Sequence, residues 1–261
     1  MVIVDCDCDG FTSAALFLNF LNKLFPTWTE LDVDYALHNG KQHGLSDMMD
    51  RAVNYGLVIV PDAGTNDLVE HHKLAELGIP VIIMDHHEAD IDITESPAII
   101  INNQTCNYPN KFLSGVGIVW QFCRYIEQKL EKNYTNDLLD LVALGLTADM
   151  MSLRELETKH LIIKGFKQEN IHNPFIHYMA EKNKFSLGDH ITSIGAAFYI
   201  APFVNAMTRS GTLEEKEMLF QSMLNFKAFT LVPSQKRGHK PGEMEKLVVE
   251  AVRIATNVKN R

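Results

Sequence analysis

The sequence predicts an α/β fold in which a parallel β-sheet is flanked by helices and followed by a mainly helical extension. In the first 112 residues, short runs rich in Val and Ile alternate with amphipathic stretches, and after residue 112 the strand-like runs stop. The length of 261 residues allows one large α/β domain, or one domain and part of a second.

Five apolar runs are short and rich in Val and Ile, as buried parallel strands are. They cover residues 2–4, 33–37, 57–60, 81–84 and 99–101. The stretches between them predict helices over 12–25, 46–55 and 67–77. Gly56 and Gly78 follow the last two, as helix C-caps do. Strands that alternate with helices imply right-handed βαβ units and a sheet covered on both faces.

The second half of the sequence is predicted to be helical. The helices cover residues 114–132, 136–146, 155–170, 174–182, 189–200 and 212–229. Pro202 breaks the fifth of them. Residues 232–242 predict a loop, because they hold two Pro and two Gly, and a final helix begins near Glu243. We therefore expect a first domain over 1–204 and a helical extension over 205–261.

Composition and charge exclude several classes of protein. Apolar residues make up 46% and charged residues 22%, so wholesale disorder is excluded. No apolar run reaches the roughly 18 residues of a membrane helix, and no signal peptide is visible. Four Cys do not make a disulfide framework and indicate a reducing cytoplasm. The net charge of −9 argues against binding nucleic acid by bulk charge alone, although a local basic groove stays open.

Acidic and imidazole side chains follow three predicted strands and one apolar run. They are Asp5, Asp7, Asp9, Asp62, Asp85, His86, His87 and Asp149. Because the carboxyl ends of parallel strands meet at one edge of a sheet, we expect these side chains to share a cleft. Carboxylates about 4 Å apart repel by about 4 kcal/mol at an effective dielectric near 20, so the cluster needs protons or cations. Carboxylates mixed with imidazole suit Mn²⁺, and paired ions are the usual means of cleaving phosphate esters.

Each of these motifs also has a structural interpretation. An Asp at a strand end is often a helix N-cap, Asp9-Gly10 is typical of a turn, and His86 and His87 could be a structural pair. These interpretations explain the motifs singly, but a metal site explains all four together.

The motifs resemble those of the DHH phosphoesterase superfamily. They are Asp5-Cys6-Asp7-Cys8-Asp9-Gly10, Asp62-Ala63-Gly64, Asp85-His86-His87 and Asp149. Three further segments are similar to those of the RecJ branch, and especially to those of its phage and prophage members. The RecJ branch comprises single-strand-specific 5′→3′ exonucleases. They are Ser114-Gly115-Val116-Gly117, the segment 143–149, and 202–209 with its pattern Pro-x-x-Asn-x-x-x-Arg. The resemblance covers nearly the entire chain.

The resemblance implies a centre of two Mn²⁺ or Mg²⁺ ions, with Asp62 as the bridge. The positions that match metal ligands are Asp7, Asp9, Asp62, His86 and Asp149. It implies that Asp5 supports the site or joins a metal shell, and that His87 contacts the scissile phosphate or the leaving group. Asn205 and Arg209 would hold phosphate, since the Arg fork suits phosphate oxygens.

Other candidates stay open between two interpretations. Lys41 and His43 touch substrate phosphates or belong to a solvated loop. Ser114 begins a helix whose N–H groups receive phosphate, or it only caps that helix. Cys6 and Cys8 pack in the core or form a Cys-x-Cys metal site, and packing is favoured.

The sequence departs from the family in two places. Ile3 stands where members with a single-His first motif have His, which favours the RecJ branch. The DHHA1 domain of the family is absent, so the extension is interpreted as the start of a linker to it and the chain as a fragment.

We therefore expect a divalent-metal-dependent phosphodiesterase that hydrolyses single-stranded DNA from the 5′ end. The alternatives are a phosphodiesterase for short RNA or cyclic dinucleotides, and an inactive truncated core that acts as a binding module. The expected partner is single-stranded nucleic acid, with a single-strand-binding protein or a helicase as further candidates and no membrane.

Overall fold

A five-stranded parallel sheet organises the first half of the computed structural model, which describes residues 1–236, 238, 240 and 242–260. Its strands are β1 (Val2–Val4), β2 (Tyr35–Leu37), β3 (Val58–Pro61), β4 (Val81–Asp85) and β5 (Ile99–Asn102). They lie side by side in the order β2-β1-β3-β4-β5. The predicted fold class is confirmed.

The order of the strands determines where a site can form. From β1 the chain runs to β2 on one side and then returns to β3 on the other side. The order therefore reverses between β1 and β3, which leaves a crevice at their carboxyl ends. In sheets of this kind, ligands bind in that crevice.

The helices surround the sheet and make up the second half of the chain. In the first half they are α1 (Cys8–Leu24), α2 (Pro26–Asp32), α3 (Met49–Ala52) and α4 (Leu68–Glu76). The second half contains α5 (Gly115–Lys129), α6 (Leu139–Ala148), α7 (Leu156–Gly165), α8 (Pro174–Lys182), α9 (Lys184–Leu187), α10 (Ser193–Tyr199), α11 (Ala201–Ser210), α12 (Leu213–Met223) and α13 (Leu247–Lys259). Short 3₁₀ turns occupy Ser46–Met48, Ile93–Glu95, Thr135–Leu138 and Gln168–Asn170.

Two hydrophobic clusters cover the two faces of the sheet. Because side chains alternate along a strand, Val2 and Val4 of β1 join one cluster and Ile3 joins the other. The larger cluster contains α1, α5 and α6, and it continues into α11, α12 and α13. The smaller cluster contains Leu45 and Leu74. Burial on both faces holds the carboxyl edge of the sheet in place.

One helix boundary that differs from the prediction matters for the site. Helix α1 begins at Cys8, so Asp9 lies in its first turn and not in a preceding turn. Asp7 is its N-cap and accepts a hydrogen bond from the backbone N–H of Gly10 at 2.9 Å. The fifth predicted helix ends before Pro202 as predicted: α10 ends at Tyr199, and Pro202 lies in the first turn of the next helix, α11, where its missing N–H costs nothing.

The predicted loop over 232–242 is partly wrong. Strand β6 (Leu231–Pro233) pairs antiparallel with strand β7 (Met244–Lys246). The last helix therefore begins at Leu247 and not near Glu243. Strands of three residues show no clear alternation in the sequence, so only their pairing reveals them. Arg237, His239 and Pro241 lie outside the described residues.

The helical extension is attached to the first domain by polar contacts as well as by packing. Asn19 of α1 donates from Nδ2 to the carbonyl oxygen of Met223 at 2.9 Å and accepts from the N–H of Asn225 at 2.7 Å. The predicted boundary at residue 204 falls inside α11 and stays a prediction. Among the described residues, no helix has the length and the apolar character that crossing a membrane requires.

Candidate metal centre

Seven of the predicted side chains converge at the carboxyl edge of the sheet. Each of three groups has ligand atoms that lie within 4.8 Å of one another. The groups are Asp5 with Asp7 and Asp62, Asp9 with His86 and Asp149, and Asp62 with His86 and His87. The loops after β1, β3 and β4 and the end of α6 deliver them, so the predicted convergence is what the fold produces.

His86 lies between two carboxylates of this cluster, Asp62 and Asp149. Its Nε2 lies 3.3 Å from Oδ1 of Asp62 and 3.5 Å from Oδ2 of Asp149. Burial, followed by the positive charge of His87, lowers the pKa of His86 to about 4. The ring is therefore neutral near pH 7, which is the form that binds a metal ion.

Asp62 occupies a backbone position that few residues accept. Its φ of 67° lies in the left-handed region, where Asp and Asn are better tolerated than most residues. A side chain at position 115 would collide with the Asp62 carboxylate, and one at position 145 would collide with Asp9. Gly115 and Gly145 thus leave the room that the two carboxylates need.

Ser114 contacts the carboxylate cluster, and its predicted binding of substrate stays a prediction. Its side chain is fully buried and its hydroxyl donates to Oδ1 of Asp9 at 2.9 Å. The backbone N–H of Val116 points at the same oxygen from 3.4 Å. The N-terminus of α5 therefore orients Asp9.

Two carboxylate oxygens in the cluster have no hydrogen-bond partner among the described residues. They are Oδ2 of Asp9 and Oδ1 of Asp62, and both are buried. Burial and the nearby Asp149 raise the pKa of Asp9 to about 7, and burial and Asp9 raise the pKa of Asp62 well above its usual value. Buried carboxylate oxygens without a hydrogen bond are costly, and carboxylate with imidazole donors suits Mn²⁺ or Mg²⁺. The residues present fit a divalent-cation centre.

His87 is held by Asp85, which the sequence motif contained but to which we assigned no role. Oδ1 of Asp85 lies 2.7 Å from Nδ1 of His87 and accepts the backbone N–H of His86 at 2.7 Å. The hydrogen bond to Asp85 raises the pKa of His87 to about 9. The His87 side chain is 57% exposed, so a protonated imidazole faces the crevice.

His43 is held in the same manner by Asp5. Its Nδ1 lies 2.8 Å from Oδ2 of Asp5, and its Nε2 lies 3.8 Å from Sγ of Cys6. The hydrogen bond to Asp5 raises the pKa of His43. Lys41, two residues earlier, is exposed. The loop after β2 therefore reaches the crevice, whereas its contact with substrate phosphate stays a prediction.

A buried lysine of the extension anchors that loop. Nζ of Lys216 in α12 donates to the carbonyl oxygens of His38, Asn39 and Gly40 at 3.3, 2.9 and 3.2 Å. The residue is 2% exposed. Sequence reasoning missed Lys216, since a lysine in a polar helix normally indicates a solvated face.

Asn205 and Arg209 lie on α11, close in sequence to the end of the first domain. Oδ1 of Asn205 accepts the backbone N–H of Cys8 at 3.1 Å, so this amide supports the start of α1. Arg209 is exposed one turn later and therefore lies on the same side of the helix. Their predicted binding of phosphate stays a prediction.

The fold and the site define an α/β protein with a carboxylate–imidazole centre at the switch point of a parallel sheet. The model of the DHH family, N-terminal domain, matches residues 1–146. The chain belongs to the DHH family. The motifs on which the sequence-based resemblance rested are those that build the centre.

Two similar sequences come from Bacillus subtilis (strain 168). One is named as a candidate SPbeta prophage-derived single-strand DNA-specific exonuclease. It is 36% identical over 260 residues, which cover 99% of this chain and 43% of that protein. The other is the single-stranded-DNA-specific exonuclease RecJ, which is 30% identical over 95% of this chain and 31% of its own length. The chain thus spans less than half the length of these two relatives.

Solved structures of RecJ share the fold. A manganese-bound RecJ superposes with a TM-score of 0.79 at 21% identity, over 100% of this chain and 60% of that chain. RecJ from Thermus thermophilus in complex with Mn²⁺ gives 0.75 at 20% identity, over 100% of this chain and 34% of that chain. The predicted parallel sheet and its flanking helices therefore match the fold of these RecJ structures.

Proposed function

We propose that the chain carries the catalytic core of a divalent-metal-dependent phosphodiesterase that hydrolyses single-stranded DNA from its 5′ end. The observation that carries the proposal is the convergence of Asp7, Asp9, Asp62, His86 and Asp149, two of which bear buried oxygens without a hydrogen-bond partner among the described residues. Such a cluster is stable when cations neutralise it.

The contacts support an assignment of two ions. Asp9, His86 and Asp149 form one donor group, and Asp7 with Asp62 belongs to a second. Asp62 also lies beside His86, which supports Asp62 as the residue that would bridge the two ions. When bound, paired divalent ions activate water and stabilise the charge that develops on phosphate oxygens.

The side chains of the crevice supply the remaining functions. His87 carries a proton on Nε2 while Asp85 holds its Nδ1, so it can donate a hydrogen bond or a proton to the phosphate or the leaving oxygen. Arg209 offers a planar fork to phosphate from the same helix that supports α1. Lys41 and His43 approach from the loop after β2.

The single-stranded DNA substrate rests on the names of the relatives and on the branch-specific motifs. A net charge of −9 gives the chain no net electrostatic attraction for nucleic acid. A helicase or a single-strand-binding protein would therefore be a useful source of substrate. Four cysteines without disulfides fit a cytoplasmic setting.

The test is the release of mononucleotides from 5′-labelled single-stranded DNA in the presence of Mn²⁺. Asp62→Asn removes the charge but keeps a residue that accepts the left-handed backbone, so the variant should fold and lose activity by about 10³-fold or more. Asp50→Asn on the exposed face of α3 is the matched control and should cleave like the wild type. Equal activity of Asp62→Asn and the wild type would refute the proposal.

Substrate class and polarity need two further comparisons. Oligonucleotides blocked at the 5′ or the 3′ end show from which end the chain digests. A length series separates an exonuclease from an enzyme for short RNA or cyclic dinucleotides, since the latter should fail on long strands. Mn²⁺ binding by calorimetry without cleavage of any of these would indicate an inactive binding core.

A further inference from the structure

A cysteine lies beside the carboxylate cluster but takes no part in the proposed reaction. Cys6 follows β1, is 7% exposed, and has its Sγ 3.8 Å from Nε2 of His43. One carboxylate oxygen of Asp5, the sulfur of Cys6 and a ring nitrogen of His43 all lie within 4.8 Å of one another. We propose that Asp5, Cys6 and His43 form a separate binding site for a thiophilic divalent cation such as Zn²⁺.

The distances suit such an ion. Zinc binds thiolate sulfur at about 2.3 Å and imidazole nitrogen at about 2.0–2.1 Å, which for tetrahedral angles separates the two ligand atoms by about 3.6 Å. The observed separation between Sγ of Cys6 and Nε2 of His43 is 3.8 Å. A small movement of either side chain would admit the ion between them.

The ring of His43 is already oriented for this role. Asp5 contacts the other ring nitrogen, Nδ1, at 2.8 and 2.9 Å through its two oxygens. A carboxylate at the second nitrogen is the usual support of a metal-binding histidine, because it selects the tautomer that leaves Nε2 free to bind. Asp5 thus fixes the ring and contributes negative charge to the site.

The loop that carries His43 is anchored on both sides. Lys216 holds the carbonyl oxygens that precede it, and the backbone N–H of Leu45 donates to Oδ2 of Asp67 at 2.7 Å. The side chain of His43 itself is 60% exposed, so an ion enters from solvent. The loop backbone of the site is therefore held by hydrogen bonds, while the His43 side chain is open to solvent.

The thiol distinguishes this site from the neighbouring centre. Oxygen and imidazole donors accept Mn²⁺ or Mg²⁺, whereas thiolate favours softer ions. Binding forms a metal–sulfur bond and breaks the S–H bond of Cys6, whose proton passes to solvent. No oxidant or further reactant is required.

Asp5 links the two sites, because it also lies within 4.8 Å of Asp7 and Asp62. An ion held by Cys6 and His43, with Asp5 behind the imidazole ring, would place positive charge next to that neighbouring group and partly offset its negative charge. Zn²⁺ should therefore lower Mn²⁺-dependent cleavage in the wild type and less so in Cys6→Ser. This consequence rests on the proposed function, whereas the existence of the site does not.

Co²⁺ is the probe for the test, since a cobalt–thiolate bond gives a charge-transfer band in the near ultraviolet that carboxylate and imidazole ligands do not give. The full chain carries Cys106→Ser, which removes the exposed thiol, and excess Mg²⁺ is present to occupy oxygen-rich sites. We expect a band that saturates with a single equivalent of Co²⁺. Cys6→Ser should abolish it, and Cys8→Ala, a buried cysteine two residues away, should retain it.

A band that persists in Cys6→Ser, or no band in the parent chain, overturns the proposal. If circular dichroism shows that Cys6→Ser is unfolded, His43→Gln decides, because this side chain is exposed and its replacement leaves the core intact. We expect its Co²⁺ affinity to fall about 10-fold or more. An unchanged band and affinity in His43→Gln would overturn the proposal as well. The absorbance readout is independent of nuclease activity, so the two proposals fail separately.

Discussion

Two Asp–His pairs face the same crevice, and they differ in how the aspartate is held. The carboxylate contacts Nδ1 of the imidazole at 2.7 Å in Asp85–His87 and at 2.8 Å in Asp5–His43. Asp85 also accepts three backbone N–H groups. Within the described part of the chain, the carboxylate of Asp5 has hydrogen bonds to His43 alone.

The pKa values of the two aspartates diverge accordingly. Burial would raise the pKa of Asp85, but the hydrogen bonds from His87 and Thr65 outweigh it and lower the pKa. For Asp5 burial dominates and raises the pKa, in spite of His43. The hydrogen bond from His87, supplemented by those from Thr65, therefore stabilises the buried Asp85 carboxylate as an anion. The hydrogen bond from His43 does not achieve this for Asp5. Asp85 is stabilised within the protein, whereas Asp5 gains from a cation.

Asp85→Asn should break the first pair and have the largest effect. The amide oxygen still accepts backbone N–H groups, so the loop keeps its shape, but His87 loses the anion that keeps it protonated. We expect kcat/KM on single-stranded DNA to fall by about 10²–10³-fold, as for loss of a positioned acid. In the metal-free protein, NMR titration should show the pKa of His87 falling from about 9 towards 6.5. Activity within twofold of the wild type would contradict this role of Asp85.

Asp5→Asn should have a smaller effect, because its pair supports the metal cluster from one side. We expect a loss of about 10-fold in Mn²⁺ affinity or in kcat/KM, as is usual for a group that orients ligands. Calorimetric titration with Mn²⁺ and single-turnover cleavage measure the two quantities. If the loss equals that of Asp85→Asn, the distinction between the pairs disappears.

Lys216→Met tests whether the second pair depends on the extension. The variant leaves three carbonyl oxygens without the ammonium donor, and we expect the free energy of unfolding to fall by about 2 kcal/mol in urea titrations. The pKa of His43 should move towards its ordinary value, whereas the pKa of His87 should not change. Lys182→Met on the exposed side of α8 is the control, with an expected change within about 0.5 kcal/mol.

The smallest effect concerns pH. Because the folded pKa of His87 is raised from 6.5 to about 9, its contribution to the stability of the metal-free protein is complete below pH 6.5 and is lost as pH rises through 9. Urea unfolding at both ends of this window should show wild-type stability falling more than that of His87→Gln. Parallel pH profiles for the two proteins would show that the pair adds no stability.

The sequence predicted the sheet and the acidic positions because both leave local signals. Short Val and Ile runs mark the strands, and each acidic group follows such a run or an apolar helix. Asp62 and Asp149 needed no knowledge of their neighbours to be recognised as candidates. The family resemblance then supplied roles that composition and spacing alone do not give.

What the sequence did not reveal depends on partners far apart in the chain. The contact between His43 and Asp5 joins residues 38 positions apart, and Lys216 reaches Asn39 across 177 positions. The hydroxyl of Ser114 donates to Asp9 across 105 positions. Neither hydrophobic periodicity nor a local motif records such pairings, so only the folded chain shows them.

The support of α1 by Asn205 has a consequence for the order of synthesis. The amide of Asn205 meets the N–H of Cys8 across 197 positions of sequence, at the start of the helix that carries Asp9. During translation the first strand and its acids leave the ribosome long before α11 and α12 exist. The crevice therefore acquires its final shape only when those late segments dock, and contacts of such long range make that step slow. A growing chain would hold its carboxylates in a loosely ordered edge, and the proposed hydrolytic activity would appear only after those segments have docked.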